Sequence, residues 1–179
     1  MKILIEALYN VTINKVESLL SQLTIFQVLP HRLKQLVVIL RGFFFETVIE
    51  FNLKEELEKR GLKIDIVTQF PVRFDKNDKC RAKTDLCING KVAIELKLSG
   101  LWNLNNSFKY ANYKHNLERR DIVYLYLTHE ETKNELELIA KKTFGEENHF
   151  NLQHPNEWNR FLDRIEYILI TSINQSQSI

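Results

Sequence analysis

Glu95 and Lys97, two positions apart in the segment VAIELKL, and Asp85, ten positions earlier in TDLCI, are the residues of this chain whose types and spacing fit catalysis. As a strand, residues 92–98 put Val92, Ile94, Leu96 and Leu98 on one face and Ala93, Glu95 and Lys97 on the other. A carboxylate and an ammonium then emerge side by side from a strand otherwise built for burial. Buried charges are costly unless they are paired or bound to something. Two carboxylates and a lysine on neighbouring strands can hold a divalent cation through hard oxygen ligands. The lysine can orient an attacking water or steady a phosphate oxygen. Hydrolysis of a phosphodiester needs those parts.

An acid followed two places on by lysine is a cheap pattern, with about two matches expected by chance in a chain of this composition. Two occur, Glu95-Leu96-Lys97 and Glu131-Thr132-Lys133. The second lies in the polar run HEETKNE, where acids at a helix start explain it. Only the first is inside an apolar strand. A cross-strand ion pair, with Glu95 or Lys97 answering Asp85 or Arg81, is the bland alternative.

The elements that must position these side chains can be read from periodicity. Val16, Leu19, Leu20 and Leu23 recur at helical spacing, Pro30 suits a helix start, and Leu33, Leu36, Val37 and Leu40 continue the pattern. Gly42 is a candidate break. Residues 43–60 predict a strong helix closed by Gly61. Residues 64–74 are rich in β-branched and aromatic side chains, with Pro71 implying an edge or a bulge. Residues 84–88 and 91–98 read as two strands around Asn89-Gly90, a hairpin signal. DIVYLYL at 121–127 reads as a buried strand, 132–142 and 155–164 as helices, and 167–173 as a last strand. The expectation is an α/β domain with a mixed sheet, divided into an N-terminal helical extension at 1–42 and a core at 43–179.

Strand parity constrains the site. A two-residue turn at Asn89-Gly90 would pair Ile88 with Lys91 and point Asp85 away from Glu95. A three-residue turn ending in Gly90 pairs Cys87 with Lys91, sets Asp85 opposite Ala93 and returns it to the face of Glu95. The metal site therefore predicts a three-residue turn or a bulge.

Composition bounds the rest. A chain of 179 residues, 44% hydrophobic and 27% charged, can bury one core. Two cysteines, Cys80 and Cys87, make neither a disulfide framework nor a zinc cluster, and they predict reduced thiols in the cytoplasm. His115, His129, His149 and His154 have no ligand spacing. The apolar start MKILIEALYN is interrupted by Glu6 and Asn10, so neither a signal peptide nor a membrane partner is expected. Net charge is only +2, but residues 73–120 carry 11 Lys or Arg against 5 Asp or Glu. Residues 128–150 run the other way. A basic centre beside an acidic flank suits a polyanion on one face, and equally a solvated surface of mixed charge.

Asp85 followed by Glu95-Leu96-Lys97 resembles the signature of the PD-(D/E)XK, or restriction-endonuclease-like, superfamily, with Thr84 where the usual proline stands. The resemblance runs over residues 43–128. Upstream, FETVIEFNLKEELEKRG is similar to the superfamily's glutamate-bearing helix ended by glycine, and Glu50 precedes Gly61 by the spacing found in archaeal Holliday-junction resolvases. Downstream, a polar helix and the strand DIVYLYL continue the likeness. The resemblance implies a restriction-endonuclease-like core and Mg²⁺- or Mn²⁺-dependent cleavage of DNA. Asp85 and Glu95 would be metal ligands, Glu50 or Glu46 an additional carboxylate, and Lys97 the residue that positions water and offsets charge. Lys83, Lys109, Tyr113 and Lys114 are candidate contacts to nucleic acid. A resolvase would further imply a homodimer with two facing sites. The rival class is a non-catalytic nucleic-acid-binding or assembly module on the same fold. Replacing any of Asp85, Glu95 or Lys97 is expected to abolish cleavage while leaving the fold intact.

Overall fold

A computed structural model describes residues 30–71, 83–97, 121–126, 138, 141–152, 154 and 156–176. The chain forms two compact units, Met1–Phe51 and Asn52–Ile179. The predicted helix over 12–23 lies outside the described residues.

Helix α1 spans Pro30–Lys59, its first residue being the proline whose fixed φ and missing N–H suit that position. The expected break at Gly42 does not occur. One glycine costs an exposed helix only about 1 kcal/mol, too little to end a helix that continues on both sides. Gly61 ends it as predicted. Its φ of 83° lets Gly61 N–H reach Glu58 O at 2.9 Å and Leu62 N–H reach Leu57 O at 3.1 Å, the paired bonds of a Schellman motif. Within the second unit Leu53 and Leu57 are fully buried, while Lys54, Glu55, Glu58 and Lys59 are exposed.

The second unit is built on a five-stranded mixed sheet. In spatial order its strands are β1 (Ile66–Pro71), β2 (Lys83–Ile88), β3 (Val92–Lys97), β4 (Asp121–Tyr126) and β5 (His149–Asn151). β1 pairs with β2 and β2 with β3 antiparallel, while β3 pairs with β4 and β4 with β5 in parallel. Pro71 closes an edge strand, where its missing donor costs no ladder bond. β3 is central and is buried from Val92 to Leu96.

The C-terminal part differs from the sequence reading. The strand predicted over 167–173 is helix: α2 runs unbroken over Glu157–Ser176. Its buried residues, Trp158, Phe161, Leu162, Ile165, Ile168 and Leu169, recur at spacings of three and four, and this continuous stripe outweighs the local β-branched composition. The fifth strand is instead the three-residue β5, too short to show a period. Arg160 ties the two elements. It donates to His149 O, lies over the Phe150 ring at 4.2 Å and pairs with Glu157 at 2.8 Å.

Candidate active site

The hairpin between β2 and β3 decides which side chains meet. Asn89 and Gly90 both adopt left-handed backbone, with φ of 49° and 63°, and Lys91 N–H donates to Ile88 O at 2.8 Å. Lys91 is then a third loop residue, and pairing begins at Ile88 with Val92, continuing through Cys87 with Ala93 and Leu86 with Ile94. The predicted parity and three-residue turn hold, but with Asn89 and Gly90 both left-handed the turn is 89–91 instead of 88–90, so pairing is displaced by one residue along each strand from the register expected. Asn tolerates that region, and here the rest of the fold uses it. Its Nδ2 donates to Lys63 O at 2.9 Å and its Oδ1 accepts from Asp65 N–H at 2.7 Å. In this register Asp85 falls in the row of Glu95 rather than of Ala93.

Beyond Leu86 the pairing of β2 with β3 stops, and a side chain takes its place. Asp85 Oδ2 accepts the Leu96 N–H at 2.6 Å, a strand donor that a regular ladder would give to a carbonyl. Lys97 Nζ lies 2.8 Å from Glu95 Oε1 and 3.6 Å from Asp85 Oδ2, and it also donates to Leu96 O at 2.9 Å. One ammonium thus bridges two carboxylates from adjacent strands. The Glu95 side chain is 2% exposed, that of Asp85 15% and that of Lys97 33%, so the cluster opens to solvent through its lysine.

Electrostatics fix the protonation of that lysine. Burial lowers the pKa of Lys97, but the charges of Glu95 and then Asp85, with their hydrogen bonds, outweigh it and leave it above 10.5. Lys97 is therefore a cation at neutral pH and cannot act as a proton acceptor in this state. With both carboxylates ionised the cluster carries one net negative charge in a mostly buried place. Hard oxygen donors with excess negative charge fit Mg²⁺ or Mn²⁺, which need only one or two carboxylates when water and phosphate complete the shell. Among the described residues no three His, Cys, Asp or Glu side chains converge as a metal cluster. Asp85 and Glu95 are two carboxylates that meet at Lys97.

The other candidates fall in different places. Lys83 is exposed and shares the strand face of Asp85, two residues away on β2. Glu46 and Glu50 are half-buried on α1 in the first unit. Lys109, Tyr113 and Lys114 lie outside the described residues, as do Trp102 and Glu131-Thr132-Lys133. Two features had no sequence signal. One is the Asp85–Leu96 bond, which depends on where the ladder ends. The other is the left-handed Gln69 in β1, φ 52°, which a strand-like sequence does not announce.

A family model described as the PD-(D/E)XK nuclease superfamily matches residues 34–133, more than half of the chain. The match includes Asp85, Glu95 and Lys97. No curated protein and no solved structure matches.

Proposed function

This chain belongs to the PD-(D/E)XK nuclease superfamily, and we propose that it hydrolyses phosphodiester bonds of DNA with Mg²⁺ or Mn²⁺ at Asp85 and Glu95. The observation that carries this reading is the single ammonium of Lys97 held between two carboxylates of adjacent strands. Two carboxylates converging from neighbouring strands on one ammonium offer hard oxygen donors of the kind that hold a divalent ion.

A divalent ion bound there would supply an activated water and offset charge on the phosphate. The chain's own residues do the remaining work. Asp85 is fixed by the Leu96 N–H, which prevents its carboxylate from turning into solvent. Glu95 is fixed by its place in the central strand. Lys97 holds both acids in register, and its permanent charge attracts the phosphodiester and stabilises negative charge developing on it. Lys83, exposed on the strand face of Asp85, would hold a neighbouring phosphate.

Within this reading a branched substrate is the finer proposal. It rests on the likeness of the Glu50–Gly61 spacing to archaeal junction resolvases, and it would require a homodimer. Incubation with linear duplex, single strand, flap and four-way junction in Mg²⁺ tests both levels. Cleavage of the junction in preference to the others supports a resolvase. Cleavage of linear DNA alone removes it, and no cleavage of any substrate contradicts the nuclease reading.

A further inference from the structure

The corner where β2 leaves β1 and turns toward β3 is held by one residue. Ile66 opposes Ile88 in the β1–β2 ladder, and Asn89 N–H donates to Asp65 O at 2.8 Å, which carries that register one row further. The Asn89 side chain doubles the attachment. Its Oδ1 accepts the Asp65 N–H at 2.7 Å, and its Nδ2 donates to Lys63 O at 2.9 Å. An amide can do both because it carries an acceptor and a donor on one carbon. A carboxylate of the same shape would set a second acceptor against the Lys63 carbonyl. Asn89 is exposed, so these bonds compete with water, and their weight lies in choosing between arrangements of similar stability.

On its other side Asn89 opens the loop to β3, and such a choice exists there. The ordinary three-residue hairpin loop ends on a single left-handed glycine. Here that loop would be 88–90, pairing Cys87 with Lys91 and setting Asp85 opposite Ala93. The observed loop is 89–91, with Asn89 and Gly90 both left-handed at φ 49° and 63° and Cys87 opposite Ala93. Both loops keep the same parity, so the alternation of faces does not decide between them. Ile88, fully buried and opposite Val92, favours the observed one, since the other would draw it into the loop. That loop in turn needs a residue at 89 that accepts left-handed backbone, and asparagine does. We propose that Asn89 is a positioning residue: its left-handed backbone, tied to the segment before β1, sets the loop at 89–91 and so brings Asp85 level with Glu95. The catalytic consequence rests on the nuclease reading above, while the register does not.

Two substitutions at 89 separate the registers. Valine resists left-handed backbone, so Asn89→Val favours the loop 88–90. Glycine enters that region freely, so Asn89→Gly permits the loop 89–91 and keeps the backbone bond to Asp65 while losing the amide. Cross-strand backbone NOEs read the register without reference to activity. Wild type and Asn89→Gly should show Cys87 beside Ala93, and Asn89→Val should show Cys87 beside Lys91. In Mg²⁺-dependent cleavage, Asn89→Gly should retain most of the wild-type kcat. Asn89→Val should lose about 10- to 100-fold in kcat with KM little changed, the effect of misplacing a reacting group. Asn89→Ala, which disfavours the left-handed region with less bulk, takes the place of Asn89→Val should that variant fail to fold. A folded valine variant, or alanine in its place, that shows only the Cys87–Ala93 contacts overturns the inference, as does an Asn89→Gly enzyme as slow as Asn89→Val. Should wild type cleave nothing, the nuclease reading fails, and the NOEs alone still decide the role of Asn89.

Discussion

Lys97 is where structure and chemistry make opposing demands on one side chain. Its ammonium neutralises Glu95, which is 2% exposed, and it is itself held by Glu95 at 2.8 Å and Asp85 at 3.6 Å. Removing one member of a buried pair leaves the other uncompensated. The expectation from sequence, that Lys97→Ala leaves the fold intact, therefore changes. The variant should lose about 2 kcal/mol in EDTA, fewer than the 3–5 of a fully buried pair because the lysine is partly open to solvent. Mg²⁺ should restore much of the loss by binding the now doubly negative acids, through the usual linkage of ligand to stability. Thermal melts in EDTA and in Mg²⁺ measure both effects. A Lys97→Ala melting temperature equal to wild type in EDTA would show that the bridge carries no weight. The identity of Asp85, Glu95 and Lys97 was legible because charge inside an apolar, alternating segment has few explanations. The partner of Asp85 was not, since Leu96 N–H is a backbone group that every residue type offers.

At the scale of elements, legibility followed length and punctuation. The helix ending at Gly61, the Asn89-Gly90 hairpin and the strand at 121–126 were each marked by a stop signal or a clear apolar run. The break expected at Gly42 failed because one glycine costs too little to end a helix that continues on both sides. The strand expected over 167–173 failed because a local preference was read without the longer apolar stripe of α2 that overrides it. The hairpin shows a finer limit. Its parity followed from the requirement that Asp85 and Glu95 share a face, while its register depended on whether Asn89 joined Gly90 in left-handed backbone. At the start of α2, burial raises the pKa of Glu157, but Arg160 and the Asn151 N–H outweigh it and hold the carboxyl below 4.5. A depressed carboxyl contributes stability that is present above its unfolded pKa and lost as pH falls through the folded one. Glu157→Gln should accordingly flatten the loss of melting temperature below pH 4.5. A variant that destabilises with acid as steeply as wild type would remove Glu157 from the acid response.

At the scale of the whole molecule, no helix among the described residues is long and apolar enough to cross a membrane. The chain's basic residues concentrate in 73–120, the part that contains Asp85, Glu95 and Lys97. If that concentration meets DNA, binding measured in Ca²⁺ should weaken steeply with salt, each phosphate contact contributing about −0.9 to the log–log slope. Lys83→Ala should make the slope shallower by about one contact. A flat salt dependence would assign the basic excess to a solvated surface. The central claim is that Asp85 and Glu95 form a divalent-cation site for phosphodiester hydrolysis, and its most direct test is cleavage of DNA by wild type, Asp85→Asn and Glu95→Gln, with Mg²⁺ and with EDTA. Cleavage by wild type in Mg²⁺ alone, abolished in both folded variants, is the expected result. Cleavage that persists in EDTA, or at the wild-type rate in either variant, would contradict it.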